Sequence, residues 1–178
     1  MHNRQVLFAV FIAMLFTSCG PKLIPLKNKY ATGNYEIKTQ SNFETVWANI
    51  ISLFAKNGIG VKLIDKSSGF IVAQYSSAPV TIEDKNGKLV DPTAYLVTSK
   101  MYDPGPQKIY YPLTANIEWN IYIKSTDGNE TLINVNLTSA TGGSNYVNGK
   151  MISAMYPVGW STIKSTGVFE KFIADQIK

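Results

Sequence analysis

Residues 115–138, "ANIEWNIYIKSTDGNETLINVNLT", contain the clearest structural signal in the chain. Apolar and polar residues alternate in both halves of this stretch, and Asp127-Gly128 lies between the halves. A period of two is typical of a β-strand with one buried face, and Asp-Gly is typical of a tight turn. The stretch therefore predicts a β-hairpin with one apolar face against a core and one polar face in water. The apolar set is Ile117, Trp119, Ile121, Ile123, Ile133, Val135 and Leu137.

Two amphipathic helices are predicted, one before and one after this hairpin. The first begins at Ser41, which opens a Ser-x-x-Glu capping box, and ends at the Asn-Gly pair 57–58. The second lies in residues 165–178, with Ser165 or Thr166 as its N-cap. Both show the spacing of three and four residues that forms a single apolar stripe. The stripes are Phe43, Val46, Trp47, Ile50, Ile51 and Phe54, and Val168, Phe169, Phe172, Ile173 and Ile177.

Three shorter strands complete the predicted sheet. Residues 35–39 precede the first helix, and residues 61–64 and 70–75 flank a polar turn in which Gly69 is available for a positive φ. The elements then follow the order β-α-β-β-β-β-α. This order predicts an α+β fold, an antiparallel sheet with two helices packed on one face.

The stretch 43–71, "FETVWANIISLFAKNGIGVKLIDKSSGFI", together with this order, resembles the domains of BamC-type accessory lipoproteins. The resemblance covers residues 35–75 and 115–178 as a pattern of elements and includes no catalytic motif. It implies a TATA-binding-protein-like, helix-grip fold and a link to the assembly of outer-membrane β-barrels. Proteins of that type carry two such domains, whereas this chain has room for one.

The N-terminus has the pattern of an export signal. The apolar run 6–16 is shorter than the roughly 20 residues that span a membrane, and small residues follow it. The sequence "LFTSC" resembles the lipobox of bacterial lipoproteins, with Phe16 where that family prefers Leu. The resemblance implies cleavage before Cys19 and its covalent modification with diacylglycerol and an N-acyl lipid. The alternative is an ordinary secretory signal with a chance cysteine.

The chain of 178 residues is large enough for one domain with a core. Neither an Asp directly after Cys19 nor an acidic cluster shortly after it is present. By resemblance to lipoproteins, this implies an outer-membrane location, lipid-anchored, with the domain facing the periplasm. The predicted parts are a lipoprotein signal peptide at 1–18, a lipidated tether at 19–34, and a single α+β domain at 35–178 with insertions at 76–114 and 142–160.

Composition excludes several classes of function. The net charge of +5 comes largely from the N-terminal part, and Arg4 is the only arginine, which argues against nucleic-acid binding. His2 is the only histidine, so a chain without its signal has neither His nor Arg. A Ser-His-Asp or Cys-His nucleophile and a His-Cys zinc site are then excluded. We therefore expect no catalytic residues, no metal, no cofactor besides the lipid on Cys19, and no enzymatic activity.

Five carboxylates are the remaining candidates for a two-carboxylate active site. They are Glu83, Asp84, Asp91, Asp103 and Glu118. The sequence gives no evidence that any two of them converge. The first two lie beside a predicted Asn-Gly turn, and the last lies on the polar face of a strand. We expect all five to be solvated.

The two insertions concentrate aromatic residues away from the helices. Tyrosine offers a large amphipathic contact area at a low entropy cost, so one hypothesis is a binding edge for a protein partner or a glycan. The other is that these rings fold back and seal the open face of the sheet. The candidate contact residues are Tyr95, Tyr102, Tyr110, Tyr111, Tyr146, Tyr156 and Trp160.

The function that these patterns favour is that of a lipid-anchored cell-envelope protein. It would act as a non-enzymatic interaction or scaffold module, accessory to an outer-membrane complex. The alternative is a lipoprotein that binds a glycan or peptide through the Tyr-rich insertions, and a third is an enzyme acting on envelope polymers. A flat sheet edge would favour the first, a shallow aromatic groove the second, and a deep pocket with two facing carboxylates the third.

Overall fold

The computed structural model describes residues 22–30, 35–105, 107–126, 130–143, 145–147, 150–152 and 163–177. These residues form an α+β structure with two helices and two mostly antiparallel sheets. The helices are α1 (Phe43–Asn57) and α2 (Val168–Gln176). The strands are β1 (Lys22–Ile24), β2 (Tyr35–Thr39), β3 (Gly60–Asp65), β4 (Phe70–Thr81), β5 (Leu96–Val97), β6 (Lys100–Asp103), β7 (Lys108–Pro112), β8 (Thr114–Ser125), β9 (Thr131–Gly142), β10 (Asn145–Val147), β11 (Lys150–Ile152) and β12 (Lys164–Ser165).

The larger sheet has the strand order β12-β5-β4-β8-β9-β2, with β3 paired to the first half of β4. All its pairs are antiparallel except β4 with β5, which are parallel. Strands β8 and β9 are the two arms of the predicted hairpin, and Ile121 lies opposite Val135. Its turn at Asp127-Gly128 lies outside the described residues. Strand β4 extends to Thr81, so the sheet reaches into the segment predicted as an insertion.

The core lies between one face of this sheet and both helices. On β8, the side chains of Ile117, Trp119, Ile121 and Ile123 are at most 2% exposed, as the alternating pattern predicts. The Trp119 ring stacks on Phe169 of α2, with ring centroids 3.7 Å apart. From α1, the buried residues of the same core are Val46, Trp47, Ile50, Leu53 and Phe54. Both helices therefore lie against the apolar face of the β8–β9 hairpin.

The predicted N-caps of both helices are wrong by one or two residues, whereas the predicted end of the first helix at Asn57-Gly58 is confirmed. In α1 the N-cap is Asn42 rather than Ser41, and its side-chain oxygen accepts a 2.9 Å hydrogen bond from the N–H three residues later. In α2 the N-cap is Gly167, whose φ is +85° and which has no side-chain cap. Ser165 belongs to β12 and its hydroxyl contacts the carboxyl group of Glu170 in the first turn of α2, while the hydroxyl of Thr166 donates to the carbonyl of Ala94.

The second sheet, with the order β1-β6-β7-β10-β11, is absent from the sequence prediction. Its strands β6 and β7 come from the first insertion, β10 and β11 from the second, and β1 from the predicted tether. Strands β7 and β10 are antiparallel, and Tyr111 lies opposite Tyr146. The two insertions and the N-terminal segment therefore form one structure instead of three separate loops.

Gly69, in the β3–β4 turn, allows a close approach of two strands. Its φ is +72°, and a Cβ at this position would overlap the carbonyl oxygen of Ile123 on β8. Gly58, after α1, has a similar φ of +65°, but a Cβ there would meet no atom within 4 Å. A side chain at Gly58 would cause only backbone strain, whereas a side chain at Gly69 would cause the same strain and a clash with Ile123.

We expect Gly69→Ala to lower the free energy of unfolding by about 3 kcal/mol or more, because strain and clash act together. Gly58→Ala should cost only about 1 kcal/mol, the strain alone. Urea unfolding of both variants, followed by far-ultraviolet circular dichroism, measures the difference. Equal losses would show that the approach of Gly69 to Ile123 does not constrain the sheet.

Candidate functional site

Tyr95, a predicted contact residue, belongs to the core. Its ring is 6.1 Å from Trp119 and 5.5 Å from Phe169, measured between centroids, and both contacts are edge-on. Burial raises the pKa of the Tyr95 hydroxyl above its ordinary value. Tyr95 therefore packs in the core between the main sheet and α2, on the helix-covered face, and neither forms a binding edge nor seals the open face of the sheet.

Three other predicted tyrosines lie in the second sheet, where Tyr102 is on β6 and Tyr110 and Tyr111 are on β7. All three are half-buried. Tyr110 and Tyr111 are adjacent in a strand and so point to opposite faces of the sheet. Tyr146 lies on β10 opposite Tyr111, and its side chain is outside the described structure. Tyr102 lies opposite Ile109 and therefore shares one face of the sheet with Tyr111, while Tyr110 lies on the other face.

The remaining predicted site residues cannot be placed. Cys19, Tyr156 and Trp160 lie outside the described residues, as does the whole segment 1–18. The lipid-attachment site and part of the second insertion therefore stay predictions from the sequence.

Residues 22–30, which we name the strap, lie against the folded domain. Their first part is β1, which pairs with β6 so that Leu23 lies opposite Met101. Their last part bonds the carboxylate of Glu83, through the N–H of Lys27 at 2.6 Å and the N–H of Asn28 at 3.0 Å. The hydroxyl of Tyr30 donates to the same carboxylate at 2.9 Å. These residues of the predicted tether thus make specific contacts.

Glu83 is 3% exposed, so the expectation that it is solvated is wrong. Its burial alone would raise its pKa, but the hydrogen bonds from Lys27, Asn28 and Tyr30 outweigh burial and lower it. The carboxylate is therefore ionised at neutral pH, and hydrogen bonds to an ionised acceptor are stronger than neutral ones. The side-chain amide of Asn28 also donates to the carbonyl of Gly87 at 2.5 Å, which ties the strap to the same hairpin.

The other carboxylates singled out from the sequence have local partners. Asp84 accepts from the N–H groups two and four residues later, at 2.8 and 2.9 Å, which lowers its pKa. Asp91 and Asp103 accept from N–H groups two residues later, at 2.8 and 3.1 Å. Glu118 forms an ion pair with Lys62 at 2.6 Å. Each of these carboxylates therefore stabilises a turn or a strand surface.

Glu170 is a buried carboxyl group that sequence analysis missed. It is 4% exposed in the first turn of α2, and burial raises its pKa. The hydroxyl oxygen of Ser165 lies 2.6 and 2.8 Å from its two oxygens, and that hydroxyl accepts from the N–H of Gly167 at 3.0 Å. A hydroxyl has one proton, so both short contacts are hydrogen bonds only when Glu170 is protonated. This arrangement joins β12 to the start of α2.

The outer edge of β3 is the most apolar exposed element of the larger sheet. Within the described residues β3 pairs only with β4, so its other edge is free. Val61, Leu63 and Ile64 are 40%, 48% and 52% exposed. Edge strands usually carry charges or proline that block further pairing, and exposed apolar edges are pairing sites. Strand order depends on distant pairings, so the sequence predicts the strand but not its position at an edge.

Three clefts in the described part of the chain lack a pair of facing carboxylates. A cleft of about 440 Å³ beside the start of α1 is lined by polar residues that include one carboxylate, Glu130. Clefts of about 370 Å³ beside the strap and about 290 Å³ between the helices have no carboxylate in their lining. The same part of the chain contains no group of three His, Cys, Asp or Glu side chains that could hold a metal ion.

No protein-family model matches the chain, and no curated protein is significantly similar to it. Among the described helices, none has both the length and the apolar composition needed to cross a membrane. The function of the chain is therefore inferred from its own surfaces, the free edge of β3 and the strap.

Replacing Glu83 should release the strap. In Glu83→Gln the carboxylate is lost and an amide group faces N–H donors, and hydrogen bonds to charged groups contribute about 1.5–3 kcal/mol. We expect hydrogen exchange at the amides of Lys27 and Asn28 to accelerate by about tenfold or more. Asp91→Asn is the matched control, because the hydrogen bonds given for the Asp91 carboxylate lie within its own turn.

The stability that Glu83 gives to the strap should decrease as the pH is lowered. The pKa of Glu83 is lower in the folded protein, so its contribution to stability is complete above the pKa of the unfolded chain and is lost as the pH falls through the folded pKa. Protection of the two strap amides should therefore fall in that acidic window in the wild type and be low throughout in Glu83→Gln. Unchanged protection in the variant would contradict the role assigned to Glu83.

Proposed function

We propose that the protein is a lipid-anchored cell-envelope protein that acts as a non-enzymatic interaction or scaffold module, accessory to an outer-membrane complex. The observation that carries this proposal is the free edge of β3 with three exposed apolar side chains. A partner binds there by adding a strand to the sheet, so that main-chain groups supply hydrogen bonds and side chains supply selectivity.

The pairing of β3 with β4 shows what the partner strand would contact. Ile64 lies opposite Ile71, whose side chain is in the core, and Leu63 lies opposite Val72 on the other face of the sheet. Adjacent apolar residues thus extend from both faces of the edge, and a β-bulge separates them from Val61. An added apolar strand would cover side chains on both faces.

Two observations favour this function over the alternatives. The described tyrosines of the second sheet are half-buried, and only two of them, Tyr102 and Tyr111, share a face, which provides little of the shallow aromatic groove that a glycan site needs. The five candidate carboxylates each have a structural partner, either in their own turn, across the sheet or in the strap. These arrangements support an interaction module more than a ligand-binding protein or a hydrolase.

The proposed anchor is the lipid on Cys19, in the outer membrane with the domain facing the periplasm. Lys22, the first residue of β1, is three residues from Cys19, and an extended chain spans about 3.3–3.6 Å per residue. The anchored sulfur would then lie within about 10 Å of the second sheet. The strap therefore supports a close and fixed attachment of the domain to the membrane surface.

We also propose a helix-grip, BamC-like frame for the fold. This frame comprises β2, α1, β3, β4, β8, β9 and α2, in the chain order β-α-β-β-β-β-α. The pairings of β3 with β4, β4 with β8, β8 with β9 and β9 with β2 support it, because they connect every strand of the frame. The other strands would then be additions from the strap and the two insertions.

A charge on the free edge should abolish partner binding. The variant Ile64→Lys places a cation where a partner strand would bury an apolar group, and its half-exposed position leaves the fold intact. We expect at least a tenfold loss of the proteins that co-purify with the tagged chain from detergent-solubilised envelopes. Val90→Lys is the control, since Val90 is 62% exposed away from β3. Equal co-purification from both variants would exclude the β3 edge.

The anchor has a separate test. In Cys19→Ala no thioether to lipid can form, so the protein should move from the membrane fraction to the soluble fraction after cell disruption. Intact mass measured on the wild type should show the added acyl groups. A variant that stays in the membrane pellet, or a wild type with an unmodified cysteine, would overturn the lipoprotein assignment without bearing on β3.

A further inference from the structure

A cleft of about 370 Å³ lies between the strap and the end of the larger sheet. The strap forms one wall, and Ser99 and Lys164 form the other. The strap wall is held in place because the carboxylate of Glu83 accepts hydrogen bonds from the strap residues Lys27 and Asn28. The full lining is Leu23, Pro25, Leu26, Asn28, Lys29, Tyr30, Ser99 and Lys164.

The lining combines apolar surface with positive charge. Leu23, Pro25 and Leu26 supply aliphatic surface, and the lining includes two lysines and no carboxylate. Neither Lys29 nor Lys164 forms an ion pair with any of the described residues. The nearest acidic side chain named above, Glu83, already accepts three hydrogen bonds from the strap. The cleft is thus complementary to a molecule with an anionic head and an apolar tail.

We propose that this cleft binds an anionic phospholipid of the membrane to which the domain is attached, with the phosphate between Lys29 and Lys164 and acyl chain on the strap leucines. The volume is within the range of small-molecule sites and takes one head group with part of its chains. This inference rests on the proposed function for the source of the lipid, since the anchor brings the cleft to the bilayer.

The placement of the strap supports a bilayer lipid as the occupant. Leu23 and Ile24 are 49% and 37% exposed beside the cleft, and apolar residues at this position would enter the boundary between head groups and acyl chains. Leu23 is four residues from Cys19, so an extended chain keeps it within about 14 Å of the anchored sulfur. Lysines near an anionic membrane surface contribute about 1 kcal/mol each.

The bound lipid would also set the orientation of the domain. Strand β4 connects the two surfaces, because Ile71 pairs with Ile64 on β3 and Thr81 pairs with Val97, the partner of Lys164. At about 3.3 Å per residue, these positions on β4 are about 30 Å apart. A lipid in the cleft would hold this end of β4 at the membrane and direct the β3 edge away from it.

The test uses the full chain in nanodiscs that contain equal amounts of phosphatidylglycerol and phosphatidylcholine. Native mass spectrometry of the released protein counts the lipid molecules that stay bound. We expect phosphatidylglycerol adducts to exceed phosphatidylcholine adducts by about 30-fold, the ratio for two lysine contacts. The double variant Lys29→Gln/Lys164→Gln should bring the ratio close to one.

The matched control is Lys56→Gln/Lys124→Gln, which removes the same charge elsewhere and should leave the ratio unchanged. Equal binding of the two lipids by the wild type, or an equal loss in both double variants, would overturn the proposal. Preferential retention of added oleate over phosphatidylglycerol would overturn it as well. The full chain stays in the nanodisc through a lipid on Cys19 or through the apolar run 6–16. A failure of the anchor therefore shows in the intact mass and not in the lipid ratio.

Discussion

The stacking of Trp119 on Phe169 is the contact on which the rest of the structure depends. It joins the central strand β8 to the C-terminal helix, and the edge-on ring of Tyr95 adds the first insertion to the same cluster. Such aromatic pairs contribute about 0.5–1.5 kcal/mol beyond the area that they bury. The indole N–H of Trp119 has no hydrogen-bond partner among the described residues. The stack therefore stabilises the core by ring packing alone.

A second constraint is the buried charge of Glu83. It holds the strap, which lies outside the aromatic core, against the folded domain. A carboxylate at this degree of burial is costly unless hydrogen bonds satisfy it, and those bonds come from the strap. The strap in turn places β1 beside β6, and β6 continues through β7 to the second insertion. One ionised group thus links the N-terminal segment to a sheet built from distant parts of the chain.

The sequence predicts what local patterns encode and misses what distant pairing creates. The β8–β9 strands, the stripe of α1 and the β3–β4 turn follow from residue spacing within each element, and the structure has all of them. The burial of Glu83 depends on partners 53 to 56 residues away, and its neighbour Asn86-Gly87 indicates only a turn. The strands of the second sheet have three to five residues, too few to show a reliable period. The second sheet therefore depends on which distant strands pair, and the local sequence does not show this.

The free edge of β3 exposes apolar side chains even though a charged residue lies within the strand. Lys62 could have guarded this edge, but its ammonium group pairs with Glu118 across the sheet, which leaves Val61, Leu63 and Ile64 exposed. Natural sheets that avoid association place charges or proline at such positions. Strand β4 connects this edge rigidly to the cleft beside the strap. In the function proposed above, β4 would hold a membrane-facing end and a partner-facing edge at a fixed separation, so that binding at either surface would require no change in the other.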